Sequence, residues 1–321
     1  LRPRKGLGQH FLVSEAHLQG IVATAQLTPD DVVLEIGPGL GTLTALLAAQ
    51  AGHVVAVELD DQLIPILQHT LASHANVTIL HGDILQLQPV DLLSRITHHG
   101  SRITDHALRF TFHVSDYKVV ANLPYYITSA VLRHLLEAEH PPRLLVLTVQ
   151  REVAERICAA PPDMSLLAVS VQFYAQPELV QRIPAGAFYP RPQVDSAVVR
   201  LRRRPQPAVA VEDVERFFDI VRAGFGQRRK QLRNALAHGL GWPAAEMAAA
   251  LEQAGIEPRR RAQTLTLAEW GQVYRQLDAD ARFGQLLAKM EKVNAQYSEE
   301  EVERDIEAAA HEIRGQEATG Q

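Results

Sequence analysis

Apolar positions along the first 160 residues follow two periods, and the switching between them lays out repeated strand–helix units. "DVVLEIG" (31–37) and "HVVAVEL" (53–59) are short runs rich in Val, Ile and Leu, the pattern of strands buried on both faces. "NVTILHGDI" (76–84), "YKVVANL" (117–123) and "RLLVLTVQ" (143–150) repeat it. Between them, residues 14–25, 42–50, 62–73, 128–140 and 151–160 carry apolar positions at helical spacing. Pro65 falls in the first turn of its segment, where proline is tolerated. Repeated β-α units of this length predict an α/β fold with a parallel sheet and helices on both faces.

Beyond residue 166 the rhythm changes. "LLAVSVQFYA", "ELVQRIP" and "SAVVRLR" read as strands without intervening helices, extending or capping the sheet. "RRRPQPAVAVED" (202–213) is linker-like, and 214–277 reads as short amphipathic helices separated by Gly and Pro. The expected organisation is a catalytic domain over 1–204, a small all-helical domain over 205–278 and an appended acidic tail over 279–321. In that tail Ser298 and Glu301 form a capping box, with Val302, Ile306, Ala309 and Ile313 along one helix face.

Composition adds bounds. The 321 residues are 46% hydrophobic and 21% charged, enough to bury two cores. No apolar run reaches the roughly 18 residues of a membrane span, and the basic start "LRPRKGLGQHFL" lacks the apolar segment of a secretory signal. The chain does not open with Met, so a few residues are expected to precede it. The one cysteine, Cys158, cannot form an internal disulfide; an inert thiol in a reducing cytoplasm is expected. Net charge is −5, but unevenly spread. Residues 1–181 carry 11 basic against 17 acidic side chains, 182–275 carry 16 against 9, and 276–321 carry 5 against 11. A basic section between acidic ones suggests a polyanion-binding face.

Candidate chemistry begins at "LEIGPGLGTL", where Gly37, Gly39 and Gly41 lie between a strand and a helix. Glycine permits positive φ there and lets backbone approach a ligand. The spacing G-x-G-x-G differs from the dinucleotide pattern G-x-G-x-x-G, which disfavours a nicotinamide site. Glu35 lies in the leading strand, Glu58 ends the second strand where a carboxylate can accept both ribose hydroxyls, and Asp83 in "HGDI" suits an adenine amine. Acidic walls repel a pyrophosphate and suit a nucleoside bearing a cationic sulfonium, so S-adenosyl-L-methionine is the expected cofactor. "KVVANLPYYITSAV" (118–131) then places Asn122, Leu123, Pro124 and Tyr125 at the carboxyl end of the fourth strand, where open α/β sheets bind ligands. The Asn122 oxygen and a carbonyl at Leu123 or Pro124 can hold both N–H bonds of an adenine N6 and localise its lone pair. Tyr125 offers a face for an unstacked base.

These motifs carry a resemblance. "GQHFL", "EIGPGLGTLT", "VEL", "GDIL", "NLPYYI", "FYPRPQVDSAVVRL", "FGQRRKQLRNAL" and "GIEPRRRAQTLTLAEW" together resemble the ribosomal RNA adenine dimethyltransferases, over nearly all of 3–278 and in particular the small-subunit 16S type. The resemblance implies a Rossmann-like methyltransferase sheet followed by a small helical domain. It implies cofactor contacts at His10, Leu12, Gly37, Gly39, Glu58, Asp83 and Asn122, with Tyr125 and Phe188 as faces around the target. The implied activity is transfer of four methyl groups to two adjacent adenines near the 3′ end of 16S rRNA, in an immature small subunit, by a cytoplasmic, metal-free monomer.

Three features depart from the family pattern. His10 stands where Asn is usual, though both can donate and accept a hydrogen bond. The stretch between Asp83 and Asn122 is longer than usual; its His98, His99, His106 and His113 lack accompanying ligand spacing, so an inserted loop or hairpin is expected over 96–118. Residues 279–321 have no counterpart. Two rival readings are a 23S rRNA adenine methylase of the same fold and a ribosome-assembly factor in which catalysis is secondary. In "RAGFGQRRKQLRNALAHGL", Phe225, Leu232 and Leu236 can share one helix face and Arg229 and Arg233 another. The expected RNA contacts are Arg228, Arg229, Lys230 and Arg233, assisted by Arg202, Arg203 and Arg204.

Overall fold

The computed structural model describes residues 4, 8–93 and 116–279. The expected loop at 96–118 lies almost wholly outside these residues, as do the four histidines within it and the helix over 298–313.

The five apolar runs form strands β2 (Val32–Ile36), β3 (His53–Glu58), β4 (Val77–His81), β5 (Tyr117–Asn122) and β6 (Leu144–Gln150), all mutually parallel. With β7 (Ala175–Ile183) and β9 (Ser196–Arg203) they make one sheet in the order β4-β3-β2-β5-β6-β9-β7. β9 runs antiparallel to both its neighbours. The chain moves outward from β2 through β3 to β4, then returns to the other side of β2 for β5. That reversal is a topological switch point, and it opens a crevice at the carboxyl ends of β2 and β5. Register delivers three residues to that edge. Ile36 pairs with Val57 and with Ala121, so Gly37, Glu58 and Asn122 follow side by side.

Alternation along the buried strands supplies both cores. Leu34, Val55, Val119 and Leu147 point to one face, where α5 (Thr128–Leu136) and α6 (Arg151–Ile157) cover them. Val33, Val54, Val120 and Val146 point to the other, under α1 (Glu15–Ala25) and α2 (Thr42–Ala48). α3 (Ile64–Thr70) keeps Pro65 in its first turn, as expected, and α4 begins over 89–93. Lys118 is a buried charge inside β5. Its Nζ lies 2.9 Å from Asp31 and donates to the Ala25 carbonyl at 3.0 Å, at the sheet end opposite the crevice.

One element differs from expectation. "LLAVSVQFYA" is not a strand but α7 (Leu166–Tyr174), entered through a cap in which Ser165 Oγ accepts the Ala168 N–H at 3.1 Å. The helix is apolar on most of its circumference because it is shared. Val171 joins the sheet's core, whereas Ala168, Val169 and Phe173 join the core of the following helices. A continuous apolar run has no period from which to tell such a helix from a buried strand. The helices it meets are α8 (Val214–Gly226), α9 (Leu232–Leu240), α10 (Ala244–Gln253) and α11 (267–279), packed around Phe217, Trp270 and Leu236. The linker-like segment is held by that packing: Arg204 N–H donates to the Tyr174 carbonyl, Ala208 N–H to that of Phe173, and Val209 is buried.

Candidate active site

The crevice is lined from four directions. From β2 comes the glycine loop, with Gly37 at φ +71° and Gly39 at φ +61°, a region open to glycine at little cost. A Cβ on Gly39 would meet the Phe11 ring at 3.0 Å, so loop and ring close on each other only without one. From the end of β3 comes Glu58. Its Oε2 accepts the Gly39 N–H at 3.1 Å and its Oε1 the Asp60 N–H at 2.8 Å. Each oxygen retains a second lone pair, which leaves Glu58 able to accept two further donors, and burial raises its pKa. Asp83 follows β4, two residues past its end. One carboxylate oxygen caps the turn at Leu85 N–H, 3.0 Å away, and the other has no partner among the described residues. From β5 come Asn122, Leu123, Pro124 and Tyr125, all lining the same crevice.

A strap closes the fourth side. Residues 8–12 cross the mouth of the crevice and are held at every position. Gly8 packs against Tyr126, and Gln9 Nε2 donates to Asp60 at 2.7 Å. His10 Nδ1 donates to the Pro190 carbonyl at 2.7 Å. β1 (Phe11–Leu12) pairs antiparallel with β8 (Phe188–Tyr189). Asn122 Nδ2 donates to the His10 carbonyl at 3.0 Å, which fixes the amide and leaves its Oδ1 without a protein partner among the described residues. The Tyr125 ring lies 5.9 Å from the His10 ring at 24°.

Beneath the glycine loop sits a second carboxylate. Glu35 is almost wholly buried in β2, with Oε2 unpartnered, in a small adjoining cavity that Leu12, Gly37, Gly39 and Asn122 also line. Burial, reinforced by the nearby Glu58 charge, pushes its carboxyl from 4.5 up to about 8. A raised carboxyl pKa makes stability greatest below the unfolded value of 4.5, with loss as pH rises toward 8, because the unfolded chain releases the proton first. Between pH 5 and pH 7 the native protein should therefore lose about 2 kcal/mol that Glu35→Gln does not lose. Denaturant titrations of both proteins at the two pH values measure this, and equal pH slopes would mean that Glu35 is ionised in the fold.

Of the residues singled out in the sequence, His10, Gly37, Gly39, Glu58, Asp83, Asn122, Leu123, Pro124, Tyr125 and Phe188 converge on this crevice, with Leu12 in the adjoining cavity. The basic residues do not. Arg228, Arg229 and Lys230 stand exposed in the turn between α8 and α9, so they do not share the helix face expected of Arg229 and Arg233. Arg233 is partly buried in a separate depression with Glu252, Glu257 and Arg259. Arg202–Arg204 lie at the end of the sheet opposite the crevice. Arg202 pairs with Leu144 at the start of β6, whereas Ser196, at the other end of β9, pairs with Gln150 beside the crevice. Six residues of strand place Arg202 on the order of 20 Å from that edge. All three arginines bond locally: Arg202 to Gln26, Arg203 to the Pro141 carbonyl, Arg204 to the Gln172 carbonyl.

Gln9, Phe11 and Ser196 were missed by sequence reasoning. Gln9 and Phe11 flank His10 in a motif that has neither strand nor helix periodicity, and only tertiary contacts give them a role. Ser196 carried a signal, a lone hydroxyl opening the apolar run "SAVVRL".

A parallel sheet with a glycine loop, acidic strand ends and a switch-point crevice defines the class of S-adenosylmethionine-dependent methyltransferases. Within that class, the family model for ribosomal RNA adenine dimethylase matches residues 1–278, and the chain belongs to that family. A protein of Dehalococcoides mccartyi named Ribosomal RNA small subunit methyltransferase A is 50% identical over 272 residues, 84% of this chain and 87% of its own length. One of the same name from Moorella thermoacetica is 45% identical over 279 residues, 86% and 93% respectively. Among solved structures, the 23S rRNA methyltransferase ErmE is similar at 28% identity and a TM-score of 0.63, over 84% of this chain and 99% of that one. A dimethyladenosine transferase from Plasmodium falciparum, 21% identical with a TM-score of 0.68 over 85% and 98%, shares the fold. The protein is thus an rRNA adenine dimethyltransferase, and the small-subunit relatives favour that reading over a 23S enzyme.

Proposed function

We propose that this enzyme uses S-adenosyl-L-methionine to dimethylate N6 of two adjacent adenines near the 3′ end of 16S rRNA, in an immature small ribosomal subunit. The observation that carries the reading is Asn122. With its Nδ2 committed to the strap, its Oδ1 stands free beside Tyr125 in a crevice that Glu58, Asp83 and Phe188 also line. The name shared by those relatives, Ribosomal RNA small subunit methyltransferase A, supports the small subunit as substrate.

The crevice fits the cofactor. Glu58 has two lone pairs for a ribose diol, and Asp83 has a free oxygen for an amine. When bound, S-adenosylmethionine supplies a methyl group on an electron-poor sulfur. Asn122 Oδ1 and a carbonyl at Leu123 or Pro124 accept the two N6–H bonds of adenine, drawing the nitrogen lone pair out of ring conjugation. Tyr125 and Phe188 offer faces for the base, and the strap at residues 8–12 closes one side of the crevice. Positioning and electrostatic stabilisation then carry the catalysis, with no general base needed before transfer. On this reading the enzyme works as a cytoplasmic monomer. Residues 1–204 form the catalytic unit, with α7 lending a face to the helical unit of 205–278, and 279–321 form an appended tail.

Incubating the protein with labelled S-adenosylmethionine and undermethylated small subunits, then mapping the label, tests this. Two adjacent dimethyladenines near the 3′ end of 16S rRNA are expected; label confined to large-subunit rRNA would overturn the substrate assignment. Glu58→Ala should weaken S-adenosylmethionine binding by about 1–3 kcal/mol, since two acceptor sites go at once. Unchanged affinity by calorimetry would remove Glu58 from the cofactor site.

A further inference from the structure

Tyr125 is anchored at its hydroxyl as well as through its backbone. Its Oη lies 2.8 Å from Ser196 Oγ, and Ser196 is fully buried at the start of β9, opposite Gln150. That strand end is itself fixed. Arg151 N–H donates to the Asp195 carbonyl at 3.0 Å, and the Asp195 carboxylate accepts the Ala185 N–H at 3.0 Å. The His10 ring, tied to Pro190, stacks near the same tyrosine. One side of the ring is thus occupied and its far end is tethered, so it has little freedom to turn or withdraw.

We propose that Ser196 is a positioning residue that holds the Tyr125 ring against the target adenine, and that its effect falls mainly on the second methyl transfer. The proposal rests on Tyr125 being a stacking face, as argued above.

The reason is a change in the number of polar anchors. Unmodified adenine presents two N6–H bonds, one for each acceptor of the clamp. In each transfer the N6–CH3 bond forms as the S–CH3 bond breaks. The bonding pair stays with sulfur, and one N6 proton leaves to water. The monomethylated base returns with a single N–H, so one acceptor has lost its partner. Orientation of the nitrogen for the second attack then depends more on the stacked ring, and a ring free to tilt or slide lets the base move with it, whereas a tethered one does not. Misplacement of about 1 Å can cost up to roughly a hundredfold in rate. The hydroxyl tether is what fixes that ring, and the singly methylated substrate needs it most.

The test compares wild type, Ser196→Ala, Tyr125→Phe, the double variant and Tyr125→Ala on undermethylated small subunits. Monomethyladenine and dimethyladenine are quantified by mass spectrometry of nucleosides through a time course. Ser196→Ala should slow the first transfer less than about threefold and the second about tenfold, so that monomethyladenine accumulates. Tyr125→Phe removes the same bond from its other end and should reproduce the pattern. The double variant should be no worse than either single, since one interaction cannot be lost twice. S-adenosylmethionine affinity and melting temperature are measured alongside, and Tyr125→Phe carries the test if the serine variant folds poorly. Equal slowing of both transfers, or additive effects in the double variant, would overturn the proposal. Normal methylation by Tyr125→Ala would instead overturn the stacking role on which it rests.

Discussion

Asn122→Ala is expected to lower kcat for methyl transfer by about 10²–10³-fold, with a change in S-adenosylmethionine affinity below about 1 kcal/mol. The asymmetry follows from what the amide is doing. Its nitrogen is spent on the His10 carbonyl at 3.0 Å, so the side chain is held in one orientation before any substrate arrives. Its oxygen is then a preorganised acceptor for an N6–H, and it matters most as the nitrogen attacks and its hydrogens become more acidic. An interaction that strengthens toward the transition state raises kcat, whereas one of constant strength does not. The bond to His10 also braces the strap, so a small loss of cofactor affinity is expected alongside. Single-turnover rates at saturating donor, set beside calorimetric affinities, separate the two contributions. A rate falling only in proportion to affinity would make Asn122 a binding residue and leave the clamp without its acceptor.

The crevice was legible in the sequence to the extent that its residues sit at strand ends. Gly37, Glu58 and Asn122 each close an apolar run, and parallel register carries such positions to one edge whatever the details of packing. The strap was legible only as a motif. Gln9, His10 and Phe11 bond to Asp60, Pro190 and β8, partners 51 to 180 residues away, and no local period encodes contacts of that range. α7 was misread for a different reason: buried on two sides by two cores, it shows neither a polar face nor an alternation. Where the arginines fall depends on register. "RRR" at 202–204 adds to a charge count wherever it falls, yet an antiparallel β9 carries it to the far end of the sheet, onto backbone carbonyls and Gln26. Charge composition reports how many cations a section carries and not which edge they reach.

That distinction reshapes the expectation for RNA docking. The crevice belongs to a section with 11 basic and 17 acidic residues, which by itself repels phosphate, so attraction has to come from elsewhere on the surface. With Arg202–Arg204 at the far end of the sheet, the turn between α8 and α9 is the better placed to test. Arg228, Arg229 and Lys230 are consecutive and exposed, and the turn is tightened by Lys230 N–H donating to the Gln227 carbonyl at 2.9 Å. No acidic group lies within ion-pair distance of these three among the described residues. Arg233 is a different case, partly buried in a depression that Glu252, Glu257 and Arg259 also line, and so less open to phosphate than the turn. Changing Arg228, Arg229 and Lys230 together to Gln should weaken binding to undermethylated small subunits by about a hundredfold at low salt, and flatten the log–log salt dependence by about two to three. Arg233→Gln should leave that slope as it is, and neither variant should alter S-adenosylmethionine affinity, since these side chains lie outside the crevice. The measurement is subunit affinity across a salt series for the three proteins. A triple variant with wild-type affinity and a parallel slope would make the turn an ordinary solvated surface. Equal flattening by Arg233→Gln would instead show that the depression beside α10 opens to take phosphate, and the docking face would move with it.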